Sequence, residues 1–331
     1  MARFFKRSEI DESLLKEKTI AILGYGNQGR AQALNLRDSG HEVVIGARTG
    51  GEGAKQAIKD GFMALRLSEA ASAADVAMLS LPDTEMGEIA GAHIDPFLKR
   101  GALVLLSHGF AIRFGVYEPR ADVSVGLVAP KGAGWKLRAN FEAGSGLAGM
   151  VAIHRDVTGN SLALVLAYAS AIGCARVGIM ETTFDEETVT DLFGEQAVLC
   201  GGLPEMLKSA FGTLVAAGYQ PEVAYIECLH EAKLILDLIY AKGMAGMRDS
   251  ISETALYGGL TEGPNVVTDA TREAMAAMLK RIQSGEFAEN WIAEAKAGKS
   301  RMKKMVQTER SHGVNTALDN LLKAMPGFNK L

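Results

Sequence analysis

Asp191 and Glu195 stand four residues apart in ETVTDLFGEQAVLC (187–200), and Glu227 and Glu231 repeat that spacing in AYIECLHEAKLILDLIY. Four residues turn a helix through about 400°, so each pair stacks on one face, roughly 6 Å apart along the axis. Like charges so placed repel, and burying carboxylates without partners is costly. Ala224, Ile226, Leu229, Leu234, Ile235, Leu238 and Ile239 surround the second pair, which predicts a largely buried helix, with Lys233 the one basic residue at salt-bridge spacing. Either these acids meet Lys or Arg on exposed faces, or they bind a cation. Two such pairs in neighbouring apolar runs favour the cation. Oxygen donors without a His or Cys cluster suit a hard ion, Mg²⁺ rather than Zn²⁺, and four carboxylates suit two ions.

A second chemistry is written near the N-terminus. TIAIL (19–23) runs into Gly24-Tyr25-Gly26-Asn27-Gln28-Gly29 and then into RAQALNLRDSG, a strand, a GxGxxG turn and a helix. The first glycine permits the tight turn, the second lets backbone approach a diphosphate, and the third lets helix and strand pack closely, with the helix N-terminus facing the phosphates. The next strand, HEVVIGAR, ends at Arg48 rather than in the acid that would hold the ribose 2′-hydroxyl of NAD. Arg48 suits a 2′-phosphate, hence NADP, or stacks on adenine. Glu52, in the following TGGEG, would repel a phosphate and accept from a ribose hydroxyl, or it is a solvated loop acid; the coenzyme signal is mixed. His108 in LLSHGF and Lys131 in VAPKGAGW follow strands, at the strand ends where open α/β sheets bind ligands.

The elements that must position these groups fall into two regions. From Lys18 to about Arg176, short β-rich runs alternate with helix-like runs, which argues for a doubly wound parallel sheet with helices on both faces. After Thr183 the β pattern stops, and helices are expected over 186–198, 204–217, 221–240, 269–284 and 286–296, punctuated at CGGLP, GYQP and EGPNVV. The division is placed at 182/183, with an α/β half over 1–182 and an all-α half over 183–331. The stretch from Lys299, KSRMKKMVQTERSHG, reads as a solvated helix or surface extension.

Composition bounds the partners. The 331 residues are 48% hydrophobic and 22% charged, with a formal net charge of −4, so no global basic footprint calls for nucleic acid. Cys174, Cys200 and Cys228 lack CxxC spacing and read as buried apolar thiols in a reducing cytosol. The longest apolar stretch, SLALVLAYASAIG, is too short to span a membrane, and MARFFKRSEIDESLLKEK lacks the apolar core of a signal peptide. A cytoplasmic enzyme is expected, or a stromal one where a transit peptide has been removed.

GYGNQG, LSHGFAI, VAPKGAG, DLFGEQAVLCGG, GYQPEVAYIECLHEAKLILDLIY and SISETALYG follow in one order over nearly the whole chain. In these motifs the sequence closely resembles the short, class I ketol-acid reductoisomerases (acetohydroxyacid isomeroreductases). The resemblance implies an N-terminal Rossmann domain, a knotted all-α C-terminal domain and a homodimer, with higher assembly left open. It further implies shared active sites, with Asp191 and Glu195 from one subunit and Glu227, Glu231 and Ser252 from the other. Two Mg²⁺ ions per site would sit on the four carboxylates, Asp191 bridging both, with Ser252 on the substrate. Tyr25 to Gln28, Arg48, Asp83 and Gly134 fall at dinucleotide positions, and His108 at the active-site histidine. The implied reaction is alkyl migration in 2-acetolactate or 2-aceto-2-hydroxybutanoate followed by NAD(P)H reduction, in branched-chain amino-acid synthesis. Lys131 is expected to orient the metal-side water network, Glu231 to polarise or protonate a substrate oxygen, and His108 to order groups near the nicotinamide. Gly51 and Gly53 replace the serines usual around the 2′-phosphate, which leans toward NADH or dual use; Trp135 and Glu253 also depart from the pattern. A metal-independent β-hydroxyacid dehydrogenase is the alternative.

Overall fold

A computed structural model describes residues 2–328, which divide into two compact units between Thr190 and Asp191. In the first unit, strands β1 (Phe4–Phe5), β2 (Ile20–Leu23), β3 (Val43–Gly46), β4 (Ala64–Leu65), β5 (Val76–Leu79), β6 (Leu103–Leu106), β7 (Ser124–Pro130), β8 (Gly149–Arg155) and β9 (Ile179–Glu181) form one sheet in the order β1-β9-β8-β7-β6-β5-β2-β3-β4. Between them run α1 (Asn27–Asp38), α2 (Glu52–Lys59), α3 (Leu67–Ala73), α4 (Met86–His93), α5 (Phe110–Arg113), α6 (Gly134–Glu142) and α7 (Ser161–Ala171).

The central strands are buried on both faces because alternate residues feed two cores. Ile20, Ile22, Val76, Met78, Leu103 and Leu105 join one cluster, while Ala21, Leu23, Ala77, Leu79, Val104 and Leu106 join the other. This is the near-continuous apolar strand that a covered parallel sheet requires. From β2 the chain winds outward through β3 to β4, then returns to β5 and winds the other way to β7. The reversal between β2 and β5 is the switch point where such sheets open a ligand crevice.

The expected all-parallel sheet is corrected at one end, where β7 and β8 run antiparallel, as do β1 and β9. The short α6 does not cross to the far edge. The chain returns beside the end of β7 it left, Lys131 N–H bonding the Ala148 carbonyl, and Gly149 pairs with Pro130. A strand entering there can only run back along β7.

Helix α8 (Phe184–Gly194) leaves the first unit, whose compact part extends past the expected division because residues early in α8 are held by its strand ends, as described below. The second unit is helical: α9 (Gly202–Ala216), α10 (Pro221–Tyr225), α11 (Glu231–Arg248), α12 (Glu253–Val266), α13 (Asp269–Ser284), α14 (Glu286–Lys296), α15 (Ser300–Arg310) and α16 (Gly313–Ala324). Its small core joins Phe211, Ala224, Val314 and Ala317, and α15 is exposed throughout. Among the described residues, no helix is long and apolar enough to cross a membrane.

Candidate active site

Each glycine of the GxGxxG turn has a distinct physical reason. Gly24 leaves β2 with φ of 105°, and a Cβ there would lie 2.3 Å from the Ser80 carbonyl oxygen. Gly26 caps α1 and faces open space. A Cβ on Gly29 would meet the Gly24 carbonyl oxygen at 2.3 Å, so only glycine lets α1 start this close to the strand. Gly134, at the start of α6, is tighter still: its Cβ would lie 2.1 Å from the Asn27 carbonyl oxygen. The N-termini of α1 and α6 therefore meet at one place. Tyr25 is buried, and its hydroxyl donates to Asp60 at 2.9 Å beside the Arg30–Asp60 ion pair of 2.6 Å. The Arg30 hydrogen bond holds the Asp60 carboxyl at about 2.

A cleft of about 800 Å³ opens at the switch point, lined by Gly24 and Tyr25, the 47–53 loop, Arg66 to Ser68, Leu81, Pro82, Glu85, Ile89 and His93. Arg48 and Glu52 both reach it, with Glu52 at the first residue of α2 and paired with Lys55 at 2.7 Å. A carboxylate there meets the positive end of α2, where a phosphate would otherwise be favoured. A Cβ on Gly53 would make ordinary contact with Tyr25 at 3.4 Å, whereas one on Gly51 would press on the Arg48 carbonyl oxygen at 3.0 Å. Arg66 and Ser68 are lining residues that the sequence reading did not single out.

A smaller crevice of about 220 Å³ continues past Gly26 to Gly29, Ser80, Asp83, Ser107 and His108. The turn, Asp83 and His108 thus share one wall. Behind His108 lies a residue the sequence reading missed. Glu187, on α8, is 1% exposed, and its carboxylate accepts from His108 Nδ1 (3.1 Å), Gly109 N–H (3.0 Å) and Lys131 Nζ (2.7 Å). Burial alone would raise its pKa, but the His108 hydrogen bond and the charges of His108 and Lys131 outweigh it and hold the carboxyl below its ordinary value. Gly109 makes the seating possible, since a Cβ there would lie 2.2 Å from Thr188 Oγ1. His108 and Lys131, from separate strand ends, are brought together by this acid.

Asp191 follows Glu187 by one turn of α8, and Glu195 opens a π-helical turn over Glu195–Leu199. Glu227 lies in a second π turn, Ile226–His230, and Glu231 begins α11. The expected regular helices over 186–198 and 221–240 are thus each interrupted at an acidic pair, a form of helix frequent at functional sites. Burial of the pairs is corrected as well. Asp191 is half-buried, while Glu195, Glu227 and Glu231 are exposed, and α11 holds no buried residue. Leu234, Leu236, Tyr240 and Met244 on α11 stand open, because none of the described residues covers that face. Lys233 pairs with Asp237 rather than with either acid. Among the described residues, no group of three close ligand-type side chains includes Glu195, Glu227 or Glu231, so one chain does not assemble the four carboxylates. Ser252 caps α12, accepting from Ala255 N–H at 3.2 Å.

Residues 14–178 match the acetohydroxy acid isomeroreductase NADPH-binding domain, and residues 184–327 match the ketol-acid reductoisomerase C-terminal domain. The chain belongs to the ketol-acid reductoisomerase family. A solved NADH-preferring ketol-acid reductoisomerase from an uncultured archean is 41% identical, over 97% of this chain and 98% of that one, with a TM-score of 0.94. A semialdehyde dehydrogenase NAD-binding protein from Cupriavidus necator, solved with calcium and NAD, is 22% identical over 80% of this chain and 99% of its own, with a TM-score of 0.61. A Plasmodium falciparum pyrroline carboxylate reductase with NADP bound is 14% identical over 82% and 98%, with a TM-score of 0.52. These two share the fold alone. As a ketol-acid reductoisomerase the chain is an oxidoreductase with an isomerase step that uses a nicotinamide cofactor, and the β-hydroxyacid dehydrogenase alternative falls away.

Proposed function

We propose that this ketol-acid reductoisomerase rearranges and reduces 2-acetolactate and 2-aceto-2-hydroxybutanoate, that it depends on Mg²⁺, and that it prefers NADH. In this reading residues 1–182 hold the dinucleotide and residues 183–331 carry the metal ligands and the dimer contacts. The observation that carries it is Glu187, which fixes His108 and Lys131 beside the dinucleotide crevice on the helix that also bears Asp191.

The acid set fits Mg²⁺ by its chemistry: carboxylate oxygens only, with Glu227 and Glu231 exposed and in no ion pair among the described residues. Asp191, Glu195, Glu227 and Glu231 would hold the ions. When bound, Mg²⁺ supplies the Lewis acidity that the alkyl migration needs, and the reduced nicotinamide supplies the hydride. Lys131, held by Glu187, places a positive charge where the substrate hydroxyl and ketone must be oriented. His108 keeps Nδ1–H on Glu187, which sets its ring plane against the crevice. In this reading Glu231 would move a proton at a substrate oxygen, and the Ser252 hydroxyl would hold the substrate.

Two observations support a homodimer with shared sites: the four acids do not gather within one chain, and the apolar face of α11 is uncovered. NADH preference is supported by Glu52 at the head of α2, by glycines at 51 and 53, and by the NADH-preferring relative. The test is acetolactate-dependent NADH oxidation with and without EDTA, beside calorimetric titration of Mg²⁺ into the Glu195→Gln variant. Chelation should abolish turnover and the variant should lose Mg²⁺ affinity while still binding NADH. Turnover indifferent to chelation would sink the metal assignment.

A further inference from the structure

Gln32 is fully buried in α1, and Tyr168 is fully buried on α7. A leucine at 32 would pack there without needing partners, so the amide calls for an explanation. It has a complete set of partners. Tyr168 Oη bonds Gln32 Oε1 at 2.8 Å, and Gln32 Nε2 reaches Ser107 Oγ at 3.0 Å and Gln28 Oε1 at 3.4 Å. Gln28 Nε2 in turn reaches the Gly132 carbonyl oxygen at 2.9 Å.

The direction of every bond in this chain follows from its last member. The Gly132 carbonyl can only accept, so the Gln28 amide must turn its NH₂ toward it and its oxygen toward Gln32. Gln32 must then present its NH₂ to Gln28, and with the same group it donates to Ser107. Its oxygen is left facing Tyr168, whose hydroxyl donates, and burial favours the protonated phenol that this needs. Ser107 Oγ therefore receives a hydrogen bond from inside the protein. Among the described residues its own hydrogen has one acceptor, the Met78 sulfur at 3.5 Å, a weak one. Ser107 lines the crevice shared by the glycine turn, Asp83 and His108.

We infer that the Tyr168–Gln32 chain orients Ser107 as a hydrogen-bond donor to an oxygen of the bound nicotinamide dinucleotide. Ser107 is then a coenzyme-binding residue, and Gln32 and Tyr168 are positioning residues acting through it. The same Gln32 amide also donates to Gln28 of the glycine turn, whose own Nε2 bonds the Gly132 carbonyl next to Lys131. The inference rests on the crevice being the dinucleotide site.

The test is NADH binding to the full-length chain, followed by protein-fluorescence titration, for the parent, Ser107→Ala, Gln32→Leu and the double variant. Ser107→Ala should raise the NADH Kd about three- to tenfold, as for loss of one net hydrogen bond. Gln32→Leu should do the same, and the double variant should bind no more weakly than the worse single one, since Gln32 acts through Ser107. Additive losses would overturn the positioning role, because a packing defect at Gln32 would add to loss of the hydroxyl. Parent-like affinity in Ser107→Ala would overturn the inference outright, and this small substitution decides even if Gln32→Leu fails to fold. Failure of the parent itself to bind NADH would remove the crevice assignment, and the inference with it.

Discussion

Replacing Glu187 by glutamine keeps its shape and one acceptor oxygen while deleting the charge that three donors share. Removing one partner of a buried ion pair costs about 3–5 kcal/mol, because the other charge is left behind. Here the abandoned groups are not fully enclosed: the Lys131 side chain is 28% exposed and that of His108 21%. Water and the remaining amide oxygen recover part of the loss, leaving about 2–3 kcal/mol. For a unit of this size that lowers Tm by about 5–10 °C at neutral pH. The pH dependence has a definite sign. The Glu187 carboxyl titrates below its ordinary value of 4.5 in the folded protein, so its contribution is fully present above that pH and fades as pH falls through the lowered pKa. Parent and variant should therefore differ most near pH 7 and converge below pH 4.5. Turnover should fall by about 10²-fold, the scale of a misplaced reacting group, with the KM for NADH changed far less. Calorimetric melts across pH and steady-state kinetics with both substrates varied provide the readouts. A variant melting within about 1 °C of the parent at pH 7, or one whose deficit persists unchanged in acid, would refute this account of the charge.

Three further substitutions test the glycines around the dinucleotide site. Gly53→Ser fits against Tyr25 and should raise the NADPH-to-NADH ratio of kcat/KM about tenfold by adding a hydroxyl for a 2′-phosphate, whereas Gly51→Ser should gain less because it displaces Arg48; an unchanged ratio for Gly53→Ser counts against this reading of the loop. Gly134→Ala forces a Cβ into the Asn27 backbone and should destabilise by about 2–3 kcal/mol while weakening NADH binding, so a parent-like melt and parent-like affinity would show that the two helix starts are not tightly coupled.

The glycine turn was readable because its chemistry is local: tight turn, open approach and close packing all fall within six residues, and the structure gives Gly24, Gly26 and Gly29 those three roles. The bounds expected for α13 and α14 also match, since Asp269 opens one and Gly285, in the left-handed region, closes it and starts the next. Glu187 was not legible. It sits in a run of acids, Asp185-Glu186-Glu187, where Asp185 and Glu186 lie at the surface, and its partners are 79 and 56 residues away along the chain. No local pattern separates the buried acid from its exposed neighbours. The burial of α11 was misjudged for a related reason. Its apolar residues read as core in the sequence, yet among the described residues that face is open. The antiparallel turn-back into β8 depends on where α6 ends in space, which strand periodicity does not encode.

The two π turns bear on how this enzyme tolerates change in length. In an α-helix, deleting a residue rotates everything beyond it by about 100°, moving an apolar face off its support. A π turn carries one residue more than the ladder needs, so the surplus can be lost there while the flanking helix keeps its phase. Glu195–Leu199 and Ile226–His230 are thus positions where a single deletion would shift an acidic pair without rotating the helices that frame it.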